Sequence, residues 1–139
     1  MIQKENLEEE IRDYPSGKGA IELLCEIGRD GSRYTDLLGE LDITSDTLTE
    51  RLNEAQAALL VEVRAGGHGP GKTVNEYNLR PRGEKVRLHL MNTGTYSSYE
   101  LYRETRKKFE EDREGAREWM VENSDVLAEG GSPPTEEPE

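Results

Sequence analysis

Two hydrophobic periods alternate along this chain and divide it into elements. Residues 1–16 predict a short acidic helix, broken near Pro15-Ser16-Gly17. In GKGAIELLCEIGRDG, Ala20, Leu23, Leu24 and Ile27 stand at helical spacing, and the stretch from Gly28 to Gly31 stops that helix. SRYTDLLGELD predicts a second helix with Tyr34, Leu37, Leu38 and Leu41 inward. Thr44-Ser45 supplies helix-capping residues. A third helix, SDTLTERLNEAQAAL, follows with the stripe Leu48, Leu52, Ala55 and Leu59 on one face.

The period then drops to two. LLVEVRA alternates Val61 and Val63 against Glu62 and Arg64, and TVNEYNL alternates through Val74, Tyr77 and Leu79. Between them GGHGPGK is too glycine-rich for regular structure, so the pair predicts a β-hairpin with a long flexible tip. Pro81 suits the first turn of a helix that runs to about Met91 and breaks at Asn92-Thr93-Gly94. A long charge-rich helix runs from Tyr96 to about Asn123. The tail SDVLAEGGSPPTEEPE holds too little apolar surface to fold and is expected to be disordered.

Three helices followed by a hairpin is the order of a winged helix-turn-helix, an α+β fold that is mostly α. The expected organisation is an acidic segment 1–16, a DNA-binding domain 17–91, a dimerisation helix 95–123 and an acidic tail 124–139. In such a domain the third helix packs one face on the core and offers the other to the major groove, while the hairpin lies against the backbone or minor groove. The offered face here holds Asp46, Glu50 and Asn53, flanked by Ser45, Thr47, Thr49 and Arg51. Asn53 suits adenine, and a carboxylate can accept from cytosine N4. Asp46 and Glu50 also repel phosphates, so the backbone contact is expected from Arg33, Arg64, His68 and Lys72. A second class of function fits the same acidic face: an interaction module whose third helix binds another protein instead of DNA.

Charge changes this picture in detail. The chain of 139 residues carries a net charge of −12, unusual for a DNA-binding domain. The excess sits at the ends: residues 1–16 carry −3 and 124–139 carry −5, while Leu59 to Met91 carries +3. The positive charge therefore falls on the hairpin and the helix after it. Abundant Asp and Glu, with Lys scarcer than Arg, resemble halophilic archaeal proteins. At ~1 M salt the Debye length is about 3 Å, which weakens repulsion between protein and DNA. The acidic start MIQKENLEEEIRDY argues against a secretory signal, and no apolar run is long enough for a membrane span. A cytoplasmic protein is expected.

The ordered series Gly31-Ser32-Arg33-Tyr34 with Leu37, Ile43-Thr44-Ser45 with Leu48-Thr49 and Arg51-Leu52, Leu60-Val61, Glu76-Tyr77-Asn78-Leu79 and Gly83 resembles the HxlR and ArsR groups of winged-helix regulators. The resemblance covers roughly residues 18–90. It implies a dimeric repressor or activator on a pseudo-palindromic stretch of double-stranded DNA. The sequence departs from the family pattern where a glycine normally precedes the first hairpin strand; Leu59 or Leu60 stands there. The usual LTxxG appears as Leu79-Arg80-Pro81-Arg82-Gly83.

Other motifs carry less. Gly66, Gly71, Lys72 and Thr73 match the phosphate-binding GxxxxGK[ST], but that loop needs a helix after it and TVNEYNL has a strand period. No nucleotide is expected. Cys25, the single cysteine, reads as a small buried hydrophobe or, more sharply, as a thiol sensor near a dimer axis. Cys25, His68 and His89 lack metal-ligand spacing, so no metal or other cofactor is expected. No GxSxG or Cys–His arrangement appears, which argues against an enzyme. In the long helix, Tyr102, Phe109 and Ala116 are seven apart, with Tyr99, Leu101, Trp119 and Met120 adding apolar surface at its ends. All of these but Leu101 are the candidate dimer contacts, the alternative being a helix folded back onto its own domain; the polar Thr105 and Asp112 leave the heptad pattern partial.

Overall fold

The computed structural model describes residues 4–27, 32–67 and 73–129. The chain folds as two compact units, Met1–Tyr99 and Glu100–Glu139.

In the first unit, α1 (Lys4–Asp13) runs into a 3-10 turn, Tyr14–Ser16, and α2 (Ala20–Glu26) follows. A two-residue strand β1 (Ser32–Arg33) leads into α3 (Tyr34–Glu40) and α4 (Ser45–Ala57). Strands β2 (Val61–Gly67) and β3 (Thr73–Leu79) form the hairpin, and α5 (Pro81–Asn92) comes next. Helix α6 (Thr95–Glu122) begins in this unit and continues into the second, where α7 (Ser124–Ala128) completes the described chain.

The helical stripes predicted from spacing form the core. Ala20, Leu23, Leu24, Ile27, Leu37, Leu41, Leu48, Leu52 and Ala55 are all buried. Tyr34 and Leu38 pack half-buried against them. The acidic N-terminal segment also joins: Ile11 packs on the core, and Tyr14 is buried with its hydroxyl donating to the Ala20 carbonyl at 2.6 Å. A segment that is acidic on average still contributes apolar anchors at single positions.

The sheet differs from the expected hairpin by one strand. Ser32 and Arg33, expected at the head of a helix, pair antiparallel with Tyr77 and Glu76, giving the order β1-β3-β2. Two residues are too few for a hydrophobic period to register. Strand β2 also runs two residues further into the tip than predicted, while β3 matches the predicted TVNEYNL. Gly66 and Gly67, expected in the tip, pair with Val74 and Thr73, because ladder hydrogen bonds need only backbone. Val61 is buried but Val63 is exposed, so the hairpin leaves the core beyond its first residues.

Helix α4 ends two residues earlier than the leucine stripe suggests. Leu59 N–H donates to the Gln56 carbonyl at 3.0 Å, and Leu60 N–H donates to that of Ala55 at 2.9 Å. This pair is a Schellman ending, whose turning residue normally is glycine in the left-handed region. Leu59 holds that position with φ +56°. It belongs to the turn, not to the packed stripe; Ala58 and Leu60 take the buried places.

Gly83, in the first turn of α5, is explained by contact. A Cβ there would collide with the carbonyl oxygen of Leu60. That same oxygen accepts the Arg80 N–H at 2.9 Å. The α4–β2 junction and the start of α5 are thus packed backbone to backbone.

In the second unit, α6 is tied along its length by side-chain pairs three or four residues apart. They include Arg103–Glu100 at 3.4 Å, Lys108–Asp112 at 2.8 Å and Arg117–Glu114. Pairs this exposed are screened by solvent and each contributes little. The tail expected to be disordered from residue 124 forms α7 as far as Ala128. Among the described residues no helix is long and apolar enough to cross a membrane.

Candidate nucleic-acid interface

The N-terminus of α4 is built by short polar contacts. Thr44 Oγ1 accepts the Thr47 N–H at 3.2 Å and hydrogen-bonds the Thr47 hydroxyl at 3.0 Å, the capping predicted for Thr44. From α3, the Tyr34 hydroxyl donates to the Ser45 carbonyl at 2.9 Å and lies 3.1 Å from Thr49 Oγ1. The phenol has one proton, so Thr49 is the donor in the second contact. Tyr34 therefore ties the start of α3 to the first turns of α4.

The side of α4 opposite Leu48, Leu52 and Ala55 is open. Ser45, Asp46, Thr49, Glu50 and Asn53 are exposed, and Thr47 is half-buried. These residues share one surface, as the spacing predicts. Arg51 does not join them. Its side chain is only 13% exposed, its Nε donates to the Lys18 carbonyl at 3.0 Å, and its Nη1 pairs with Glu54. Instead of turning to the open face with the other expected DNA contacts, the guanidinium ties α4 to the turn before α2, with Glu50 3.8 Å from its Nη2. Helical position brought it near the open face, but a side chain this long can turn inward and find a carbonyl that lies 33 residues away.

On the hairpin, Arg64 is 68% exposed and pairs with Glu62 at 2.7 Å. At such exposure the ion pair is weak, so the guanidinium can exchange partners. Arg33 lines a cleft of about 420 Å³ with Tyr34, Thr35, Val74, Asn75 and Tyr77. Burial, with the nearby Tyr34 phenol, raises the Tyr77 phenol above its ordinary pKa. His68 and Lys72 lie outside the described residues. The segment after the P-loop-like match opens a strand at Thr73, as its two-residue period predicts.

Arg87 belongs to the basic stretch read from the sequence, but it is turned inward. Its Nη1 donates to the Ile27 carbonyl at 2.6 Å, its Nη2 donates to the Tyr96 hydroxyl at 3.0 Å, and its guanidinium lies 5.1 Å from the centre of the Tyr96 ring. Cys25, in α2, is buried. His89 is exposed on α5. Among the described residues no three His, Cys, Asp or Glu side chains form a group able to hold a metal ion.

The order of these elements, the capped helix α4 and the hairpin beside it agree with one family. The HxlR-like helix-turn-helix family model matches residues 16–105, about two thirds of the chain. The chain belongs to the HxlR-like helix-turn-helix family. It is a winged helix-turn-helix protein of the DNA-binding, transcription-regulating class.

Solved structures share the fold of this HxlR-like chain. One from Thermoplasma volcanium GSS1, assigned to HxlR-family transcriptional factors, is 24% identical with a TM-score of 0.52; the match covers 63% of this chain and 78% of that one. A MarR-family regulator structure from Porphyromonas gingivalis W83 is 21% identical with a TM-score of 0.54, covering 70% of this chain and 95% of that one. Another of the MarR family, from Enterococcus faecalis V583, is 24% identical with a TM-score of 0.53, covering 76% and 96%. No curated protein matches.

Two features of the HxlR-like pattern gain a physical reason here. Of Leu59 and Leu60, the two positions at which the resemblance led us to expect a glycine, Leu59 is the one in the left-handed turn, and Gly83, which closes the run Leu79-Arg80-Pro81-Arg82-Gly83, is seated on the Leu60 carbonyl. The candidate dimer residues separate into two groups. Tyr102, Phe109, Ala116, Trp119 and Met120 are exposed on α6. Tyr99 is buried in the first unit, its hydroxyl donating to Glu26 Oε2 at 2.5 Å. Tyr99 thus packs within the first unit, unlike the other five.

Proposed function

We propose that this chain is a sequence-specific DNA-binding regulator of transcription that acts as a homodimer on double-stranded DNA. Helix α4 would enter the major groove, with the β2–β3 hairpin against the backbone. The supporting observation is the division of α4 into a buried apolar side and an exposed side bearing Ser45, Asp46, Thr49, Glu50 and Asn53. Asn53 is the natural reader of adenine, and Thr49 and Glu50 flank it. Arg33 and Arg64, with Lys72 and His68, supply the phosphate contacts. In this reading residues 17–91 are the DNA-binding domain and 95–123 the dimerisation helix.

The dimer rests on α6. A helix this charged, with Leu101, Phe109 and Met120 at least 58% exposed, gains stability by burying those side chains against a twin. Phe109→Asp together with Met120→Asp is expected to halve the mass seen by sedimentation; an unchanged mass defeats the dimer reading.

The DNA reading is tested by selecting a binding site from random duplexes and measuring affinity against salt. Asn53→Ala should cost about 1–3 kcal/mol and relax choice at one base position, while Arg64→Gln should lower the salt slope by about one. Absence of a selected sequence, with equally weak binding to all duplexes, rejects it.

Exposure of Asp46 and Glu50 also favours the second reading, a protein partner on α4. Asp46→Asn with Glu50→Gln separates the two: it strengthens DNA binding if the carboxylates only repel, and weakens capture of a protein partner otherwise. Cys25 is the candidate for a redox response. Its thiol is 3% exposed, so oxidation requires local opening of α2. Any oxidant effect on DNA affinity should disappear in Cys25→Ser.

A further inference from the structure

The basic stretch between Leu59 and Met91 is only partly used by this reading. Arg64 lies on the hairpin, and Arg87 is tied to the Ile27 carbonyl. Arg80 stands half-buried just before α5, and within the helix Arg82 and Lys85 lie three residues apart, with Val86 and then His89 following on the same face. Together with Ile11 of α1 and the buried Leu60, these helix residues line a cleft of about 450 Å³.

The cleft has two chemistries. Its walls are apolar, from Ile11, Leu60 and Val86, the first and last half-buried. Its mouth carries Arg82, Lys85 and His89, all exposed, and none of the lining residues is acidic. In a chain of net charge −12, a basic mouth over an apolar floor is an exception to the surface around it. The volume falls in the range of small-molecule pockets, about 300–1,000 Å³.

We propose that this cleft binds a small organic acid, an apolar body carrying one carboxylate. The body would replace water against Ile11, Leu60 and Val86, and the head would lie between Arg82 and Lys85. An arginine fork suits a carboxylate geometrically, and a lysine adds a point charge. Inorganic phosphate would use only the mouth and leave the apolar floor wet, so the floor selects the amphipathic acid.

The floor also links the cleft to the proposed DNA surface. Leu60 joins α4 to β2: its N–H donates to the Ala55 carbonyl and its own carbonyl accepts the Arg80 N–H, both at 2.9 Å. An occupant therefore touches the residue that connects the proposed recognition helix to the hairpin. That regulatory consequence rests on the DNA-binding reading; the binding itself does not.

The test is calorimetric titration of the full chain with 2-naphthoate, with 2-naphthamide as the neutral isostere and inorganic phosphate as the bare anion. Saturable binding of the naphthoate is expected, with the amide and phosphate each roughly tenfold weaker or worse. Arg82→Gln with Lys85→Gln should lose a similar factor for the acid, and a thermal melt of the variant should stay near the parent because both side chains are exposed. Ile11→Ser should weaken acid and amide alike. Equal affinity for acid and amide, unchanged binding in the double variant, or no saturation at millimolar probe overturns the proposal. If the double variant instead changes the sedimenting mass while naphthoate fails to bind, a second copy covers the cleft and the proposal also falls. No DNA enters the titration, so its failure leaves the DNA-binding reading standing.

Discussion

Arg51 Nε donates to the backbone carbonyl of Lys18 at 3.0 Å, joining the middle of α4 to the turn that precedes α2. Glu54 holds the same guanidinium from one helical turn further on, and Gly17 lies so close that a Cβ there would strike it. Arg51→Ala is expected to lower stability by about 2 kcal/mol, since a charged donor leaves a carbonyl without its partner. Urea unfolding measures this. DNA affinity of the folded variant should stay within about twofold, a change far below one lost base contact. A variant of full stability that loses base selectivity would return Arg51 to the DNA surface.

Gly83 and the Leu60 carbonyl occupy adjoining space with no room for a methyl group. Gly83→Ala would add helix propensity in an ordinary helix. Here the added carbon meets backbone, which cannot rotate away, and the expected cost is about 3 kcal/mol or more. Chemical denaturation of the variant checks the sign. A stabilised variant would mean that α5 can move off the junction at little cost.

Leu59 carries the opposite error, a side chain where the backbone suits glycine. The left-handed conformation costs a leucine roughly 1–2 kcal/mol. Glycine recovers that strain and gives back about half in unfolded-chain entropy. Leu59→Gly should therefore raise stability by about 0.5–1 kcal/mol, and β-branched Leu59→Val should lower it. Thermal melts of the two variants order them. If Leu59→Gly melts below the parent, the half-buried leucine side chain matters more than its backbone.

Tyr14 couples the core to alkaline pH. Burial is the main cause that holds its phenol above the ordinary value, and the nearby Glu54 carboxylate adds to it. A pKa raised on folding means that the neutral phenol is preferred in the folded chain. The stability it contributes is complete below the unfolded value of about 10 and falls as pH rises past that value towards the folded one. Denaturation midpoints should hold steady from pH 7 to about 9 and then decline. Tyr14→Phe should be less stable at neutral pH, having lost its bond to Ala20, and decline less steeply above about pH 10. Parallel slopes for the two proteins would assign the alkaline loss to other groups.

Legibility of the molecule divided along physical lines. Ala20, Leu23, Leu24 and Ile27, and the stripe Leu48, Leu52, Ala55, were readable because burial follows helical period, a property of spacing alone. Pro81 and Thr44 marked helix starts for equally local reasons, a fixed φ and a capping oxygen. The exposed face of α4 followed as the complement of its stripe. These determinants lie within a few residues of where they act, so the order helix, helix-turn-helix, hairpin, helix was already written in the chain.

What only the tertiary structure decided involves partners distant in sequence. Nothing near Ser32 and Arg33 marks them as a strand; their antiparallel pairing with Tyr77 and Glu76 does. Arg51 and Arg87 look like surface cations until carbonyls from Lys18 and Ile27 arrive beside them. Tyr99 turns inward because Glu26 lies within reach of its hydroxyl, and Gly83 is required by a backbone oxygen 23 residues earlier in the chain. Local spacing determines which side of an element is apolar; long polar side chains and close backbone approaches are settled only when the elements meet.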